Sequence, residues 1–154
     1  RLHAARPDVN AAAHSHSIYG RTFSTLGKPL DPISQDACAF YETQAMYKEF
    51  SGVVEEVNEG DEIAKALGDK KVIILQNHGI LTTGPSVDIA LWFYMSMERC
   101  CQAQLMAEAA GTPVIIPHET AIKTRDFIAN DIAAWASYQP AYDMIIKREP
   151  DLLD

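Results

Sequence analysis

No stretch of this 154-residue chain approaches the ~18 uninterrupted apolar residues of a membrane-spanning helix, and its first residues carry no signal-peptide pattern. Basic residues are the minority, 13 Lys and Arg against 21 Asp and Glu, for a formal net charge of -8. That balance excludes a nucleic-acid backbone or an anionic membrane as the main partner. Cysteine is scarce: there are 3, an odd number, and Cys100 and Cys101 are adjacent, so no disulfide framework is built from them. Reduced thiols of a cytoplasmic protein fit better, with core packing as the role of at least one of Cys100 and Cys101, since adjacent positions on a helix diverge by about 100°. Internal repeats and low-complexity tracts are lacking as well. The length allows one domain with a real core and is too short for two, so residues 1–154 read as a single domain. Hydrophobic content of 47% and charged content of 22% are those of a globular protein, whose partners are then small molecules or other proteins.

What the chain does have is an arrangement of histidines. Ala13-His14-Ser15-His16-Ser17 places two imidazoles two residues apart after a run of small and apolar residues. Side chains alternate faces along a strand, so His14 and His16 point the same way. His78 follows the apolar run Val72-Ile73-Ile74-Leu75, inside Gln76-Asn77-His78-Gly79. Two strand ends can thus bring three imidazoles to one point, leaving an open coordination position of the kind a catalytic zinc or another divalent ion uses. The same residues have a plainer reading, in which the pair caps a strand and His78 hydrogen-bonds within its turn.

Along the chain, Leu2 to Ala5 reads as a helix end closed at Pro7, and Val9 to His16 as a tightly packed strand. Ser17 to Leu26 has helical spacing, with Gly27 and Pro29 to stop it. The metal pair then sits at a strand-to-helix junction, near amides that favour anions. Pro29 to Asp36 is a loop or a short edge strand, and Met46 to Val57 gives one or two short strands about a Ser51-Gly52 turn. Glu59 to Leu67 is a short helix. Lys71 to Gln76 is a strand buried on both faces, and Ile80 to Thr83 continues the sheet past the His78 bend. Ser86 caps a long helix that runs to Ala110, apolar over more than one stripe and so covered by more than one neighbour, a subunit interface included. Thr120 to Trp135 looks helical, and Pro140 opens a last short helix, Ala141 to Arg148.

The pieces Arg6-Pro7-Asp8-Val9, His14-Ser15-His16-Ser17, Gln76-Asn77-His78-Gly79 and the Gly84 turn with its long helix resemble, in order and spacing, the class II aldolase and adducin N-terminal domain family. The likeness runs over roughly the first two thirds of the chain and includes the fuculose-phosphate aldolases. Gln35-Asp36-Ala37-Cys38-Ala39-Phe40-Tyr41 is most similar to an uncharacterised fungal and bacterial branch. The resemblance implies an α/β fold, a three-layer α/β/α sandwich with a central, mainly antiparallel sheet, assembled as a homotetramer with active sites between subunits. It implies that the chain, which begins at Arg1, lacks the fold's N-terminal part and corresponds to its C-terminal two thirds.

In the family's aldolases a zinc held by three histidines stabilises an enediolate, and His14, His16 and His78 match those ligands. The divalent ion beside a developing oxyanion acts as a Lewis acid. A Cys-Ala-x-Tyr segment supplies a tyrosine across the subunit interface, matched here by Cys38-Ala39-Phe40-Tyr41. A phenol is a proton donor near neutral pH, and Tyr41 is therefore the candidate acid; it reads equally well as an amphipathic aromatic at a subunit contact. The family's acid/base glutamate and its phosphate-binding segment come from sequence before Arg1, and Glu42, Glu55 and Glu56 are not substitutes for it without geometry. The expected function is a metal-dependent lyase, an aldolase or decarboxylase acting on a small hydroxylated or keto substrate. The alternative is an adducin-like assembly module without chemistry, against which stand the three retained histidines and an acidic rather than lysine-rich end.

Overall fold

A computed structural model of the protein describes residues 1–49 and 57–153. Its elements are α1 (Leu2–Ala5), β1 (Ala11–Ser15), α2 (Ile18–Ser24), a 3-10 turn (Asp36–Phe40), β2 (Gln44–Tyr47), α3 (Val57–Leu67), β3 (Val72–Leu75), β4 (Gly79–Gly84), α4 (Val87–Ala110), α5 (His118–Ile128), α6 (Asp131–Arg148) and a closing 3-10 turn (Pro150–Leu153). The sheet runs β1-β4-β3-β2. The β1–β4 and β3–β4 pairs are antiparallel and β2–β3 is parallel, so the sheet is mixed and mostly antiparallel.

The two-residue period of β3 decides the layering. Val72 and Ile74 face a core that holds Phe23, Phe40, Phe93 and Met97. Ile73 and Leu75 face a second core with Leu67, flanked by Ala45, Tyr47 and Ile63. All four β3 side chains are buried, as a continuous apolar run predicts. Helices α2 and α4 cover one face of the sheet, and α1 and α3 cover the other end of the opposite face, which is the three-layer arrangement expected.

Helix α4 starts where the sequence places it: the Ser86 hydroxyl accepts the Ile89 N–H, satisfying one of the amides a helix start leaves without a partner. It packs against β1, β4, α2 and α6, which explains an apolar surface wider than one stripe. All three cysteines are buried in this interior. Burial pushes the Cys100 thiol up to about 12 and the Cys101 thiol up as well, so both are packing groups rather than nucleophiles.

The C-terminal third departs from expectation. The helix expected over 120–135 is broken at Ala129 and Asn130, because the Asn130 side chain accepts the Ala133 N–H at 2.9 Å and begins α6 there. Pro140 does not open a helix; it lies inside α6. Proline denies the helix one hydrogen bond, and packing of α6 on α4, with Gln139 donating to Asp88 at 3.2 Å, holds the helix together on both sides of that gap. The strand expected from Met46 begins earlier, at Gln44. The Ser51-Gly52 turn lies outside the described residues, as do Glu55 and Glu56.

Candidate metal centre

Antiparallel pairing sets His14 opposite Leu81 and Ser15 opposite Ile80. This brings the end of β1 beside the tight turn that joins β3 to β4, whose His78 N–H donates to the Leu75 carbonyl at 3.0 Å. Asn77 permits that turn by adopting φ of 59°, a left-handed conformation that asparagine tolerates better than most residues. The three rings then meet. Ring centroids are 5.3 Å apart for His14 and His16, 4.9 Å for His14 and His78, and 4.8 Å for His16 and His78. One ligand-capable nitrogen from each lies within 4.8 Å of the other two.

His14 Nδ1 is 2.9 Å from the Ile80 carbonyl oxygen. A carbonyl only accepts, so Nδ1 carries the proton and Nε2 is left with its lone pair. The Nε2 atoms of His16 and His78 are 2.8 Å apart, one donating to the other. Nitrogens bound tetrahedrally to a zinc at ~2.0 to 2.1 Å stand ~3.3 Å apart, so this pair needs to open by only about half an ångström to share an ion. Partial burial and the neighbouring imidazoles hold the His78 pKa below the ordinary histidine value, with the charge of Glu59 acting in the opposite sense. A neutral imidazole is the form that binds a cation. The donor set fits a divalent ion with one coordination position open to solvent, His14 and His16 being exposed.

The anion site expected at the start of α2 is not free. Its amides of Tyr19 and Gly20 donate to Glu98 of α4, at 2.9 Å and 2.6 Å. A carboxylate of the chain itself occupies the position where a substrate anion would bind. The sequence does not mark Glu98 for this role, since α4 carries other polar residues such as Arg99, Gln102 and Glu108, and Tyr94 reads as one of the helix's apolar positions.

Tyr41 is not brought to the histidines within this chain. It precedes β2, next to the start of β3, where Lys71 N–H donates to the Thr43 carbonyl, whereas His78 follows the end of β3. The two candidate sites lie at opposite ends of the sheet. The Tyr41 hydroxyl is 3.0 Å from His118 Nδ1, and Arg125 donates to the Tyr41 carbonyl at 3.3 Å. The Glu42 carboxylate stands 3.8 Å from both His118 and Arg125, engaged far from the imidazole cluster. Glu42 has φ of 60°. Among the described residues the two non-glycine positions with left-handed backbone, Glu42 and Asn77, thus each adjoin a candidate residue, and strain of this sort collects at functional sites.

The fold is a three-layer α/β/α arrangement with an exposed cluster of three imidazoles at one sheet end, a group that could hold a metal ion. The chain belongs to the class II aldolase and adducin N-terminal domain family, whose sequence profile matches residues 1–105. It is 42% identical over 151 residues to the decarboxylase NovR of Streptomyces niveus, covering 98% of this chain and 56% of that protein. It is 38% identical over 144 residues to the meiotically up-regulated gene 14 protein of Schizosaccharomyces pombe, covering 92% of this chain and 56% of the relative. Among solved structures, the L-fuculose 1-phosphate aldolase from Glaciozyma antarctica PI12 superposes with a TM-score of 0.89 at 40% identity, over 97% of this chain and 57% of that one. The chain therefore spans a little over half the length of these relatives. Among the described residues no helix is long and apolar enough to cross a membrane.

Proposed function

We propose that the protein to which this chain belongs is a metal-dependent lyase, an aldolase or decarboxylase, acting on a small hydroxylated or keto substrate, with zinc as the ion held by His14, His16 and His78. The observation that carries this reading is the convergence of three imidazole nitrogens within 4.8 Å at an exposed sheet end. Relatives named as a decarboxylase and an aldolase support it, and the retained cluster favours it over an assembly module without chemistry. When bound, the ion supplies Lewis acidity to an oxyanion developing beside it. The chain's own contribution is to bring three imidazoles to one point: the Ile80 carbonyl fixes the His14 tautomer and the β3–β4 turn fixes His78.

In this reading Tyr41 acts as a proton donor in the site of a neighbouring copy within a homotetramer. Its position at the sheet end remote from its own histidines supports a role across subunits. His118, in contact with the phenol, would orient the hydroxyl. The test uses the whole protein loaded with zinc and incubated with hydroxyketones and 2-keto acids in deuterated buffer. Deuterium incorporation next to the substrate carbonyl, abolished by His78→Ala, is the expected result. Exchange or turnover undiminished in His78→Ala refutes the metal assignment. Turnover unchanged in Tyr41→Phe removes the tyrosine from the mechanism and leaves it a packing role.

A further inference from the structure

His14 and His78 are fixed by the sheet, but His16 is not. It lies beyond Ser15, the last residue of β1 in register with β4, and before Ile18, the first residue of α2. Its ring contact with His78 uses the very nitrogens a shared ion would take. Something else must place it.

We propose that Tyr94 and Glu98 of α4 are positioning residues for His16, gripping the chain on both sides of it; the proposal rests on the three-histidine metal reading above. One helical turn apart, the two side chains share a face of α4. The Tyr94 hydroxyl is 2.6 Å from Ser15 Oγ and 2.8 Å from Ser17 Oγ, and 3.2 Å from the Ser15 carbonyl oxygen. Ser17 Oγ in turn donates to Glu98 Oε2 at 2.6 Å. Glu98 also takes the Tyr19 and Gly20 amides.

The proton inventory gives this chain a direction. A carboxylate is acceptor-only, so Ser17 must donate to Glu98. Ser17 Oγ is then an acceptor for the single Tyr94 proton, and Tyr94 an acceptor for Ser15. The order Ser15 to Tyr94 to Ser17 to Glu98 runs one way and passes around His16. Backbone space is reserved for it: a Cβ on Gly20 would stand 2.8 Å from Glu98 Oε2 and 3.0 Å from the Ile80 side chain, so only glycine lets the carboxylate reach the amides of α2.

Glu98→Gln keeps the shape of the side chain and turns one acceptor into a donor, which opposes Ser17 or an amide. Outer partners that orient metal ligands are typically worth about 10- to 100-fold in metal affinity. The experiment is competition for zinc with a chromophoric chelator, on the whole protein. Wild type, Glu98→Gln and Gly20→Ala are compared, with Tyr94→Phe as a milder variant that retains the packed ring. Glu98→Gln and Gly20→Ala are expected to bind zinc about 10- to 100-fold more weakly than wild type while circular dichroism shows them folded, and Tyr94→Phe to be weakened in the same direction.

A residue that merely caps α2 would lower the melting temperature without acting through His16. The distinguishing readout is therefore a double-mutant cycle: Glu98→Gln should add no further loss of affinity in a His16→Ala background, and its full loss in a His14→Ala background. Equal zinc affinity of folded Glu98→Gln and wild type overturns the proposal, as does an undiminished Glu98→Gln effect in His16→Ala. Failure of the wild type itself to bind a divalent ion refutes the metal reading instead. Hydrogen exchange at the His16 and Ser17 amides, measured with chelator present, then still decides the clamp: acceleration in Glu98→Gln supports it and unchanged exchange overturns it.

Discussion

Saturation with zinc should raise the melting temperature of the protein by an amount the three histidines set. A ligand that binds only the folded state at one hundred times its dissociation constant adds about 2.7 kcal/mol. Unfolding entropy near the transition is about 2.1 cal/mol/K per residue, so for a domain of 154 residues the stabilisation is spread over about 0.3 kcal/mol per degree and corresponds to about 8 °C. Removing one imidazole leaves two ligands; if affinity drops a hundredfold, the same zinc concentration adds only about 0.4 kcal/mol, or about 1 °C. The assay is differential scanning calorimetry at pH 7.5 with zinc or with chelator, on wild type, His14→Ala, His16→Ala, His78→Ala and His3→Ala. His3 serves as the control because its ring is held at the Val9 carbonyl, 2.7 Å away, ahead of the start of β1 and without a part in the proposed site. The shift should fall to about 1 °C in each triad variant and persist in His3→Ala. An equal shift in wild type and His78→Ala, or its loss in His3→Ala, would refute the assignment.

Phe93 is fully buried, with the Phe40 ring 6.3 Å from its own and Lys71 Nζ 4.9 Å from its ring centre; Phe93→Ala should cost about 3 to 5 kcal/mol in urea unfolding, and a loss under about 1 kcal/mol would mean that this core is not the one that holds α4 to the sheet. Because Cys38, Cys100 and Cys101 are buried, a thiol reagent at pH 8 should label none of them rapidly in the native protein and all three after denaturation; fast native labelling of one equivalent would contradict the packing. The Glu108 carboxyl is held below its ordinary pKa of 4.5 by hydrogen bonds from Lys28 and then Gln104. A lowered folded value means that the stabilisation is present above pH 4.5 and is lost as pH falls through the folded pKa, so Glu108→Gln should flatten the acid side of a stability profile. An unchanged profile would show that the contact is too solvent-screened to matter.

The sequence by itself determined those elements whose cause is local. The apolar run 72–75 could only be a buried strand, Ser86 had a hydroxyl to cap α4, and Gly111 could end it; the alternation of strand side chains already put His14 and His16 on one side. Where two local signals competed, tertiary structure chose. Pro140 reads as a helix start and 120–135 as one helix, whereas Asn130 caps α6 and the packing of α6 on α4 keeps the helix whole through the proline. Only tertiary structure could decide what depends on distant pairing. The β1–β4 register brings His78 to a pair 62 residues earlier, whereas the parallel β2–β3 pairing sends Tyr41 to the other end of the sheet. Glu98 illustrates the limit most clearly. As a residue on α4 it reads as a surface charge, and it becomes a clamp on the metal-ligand segment only because α2 folds its first amides against it, with Gly20 leaving room for the contact.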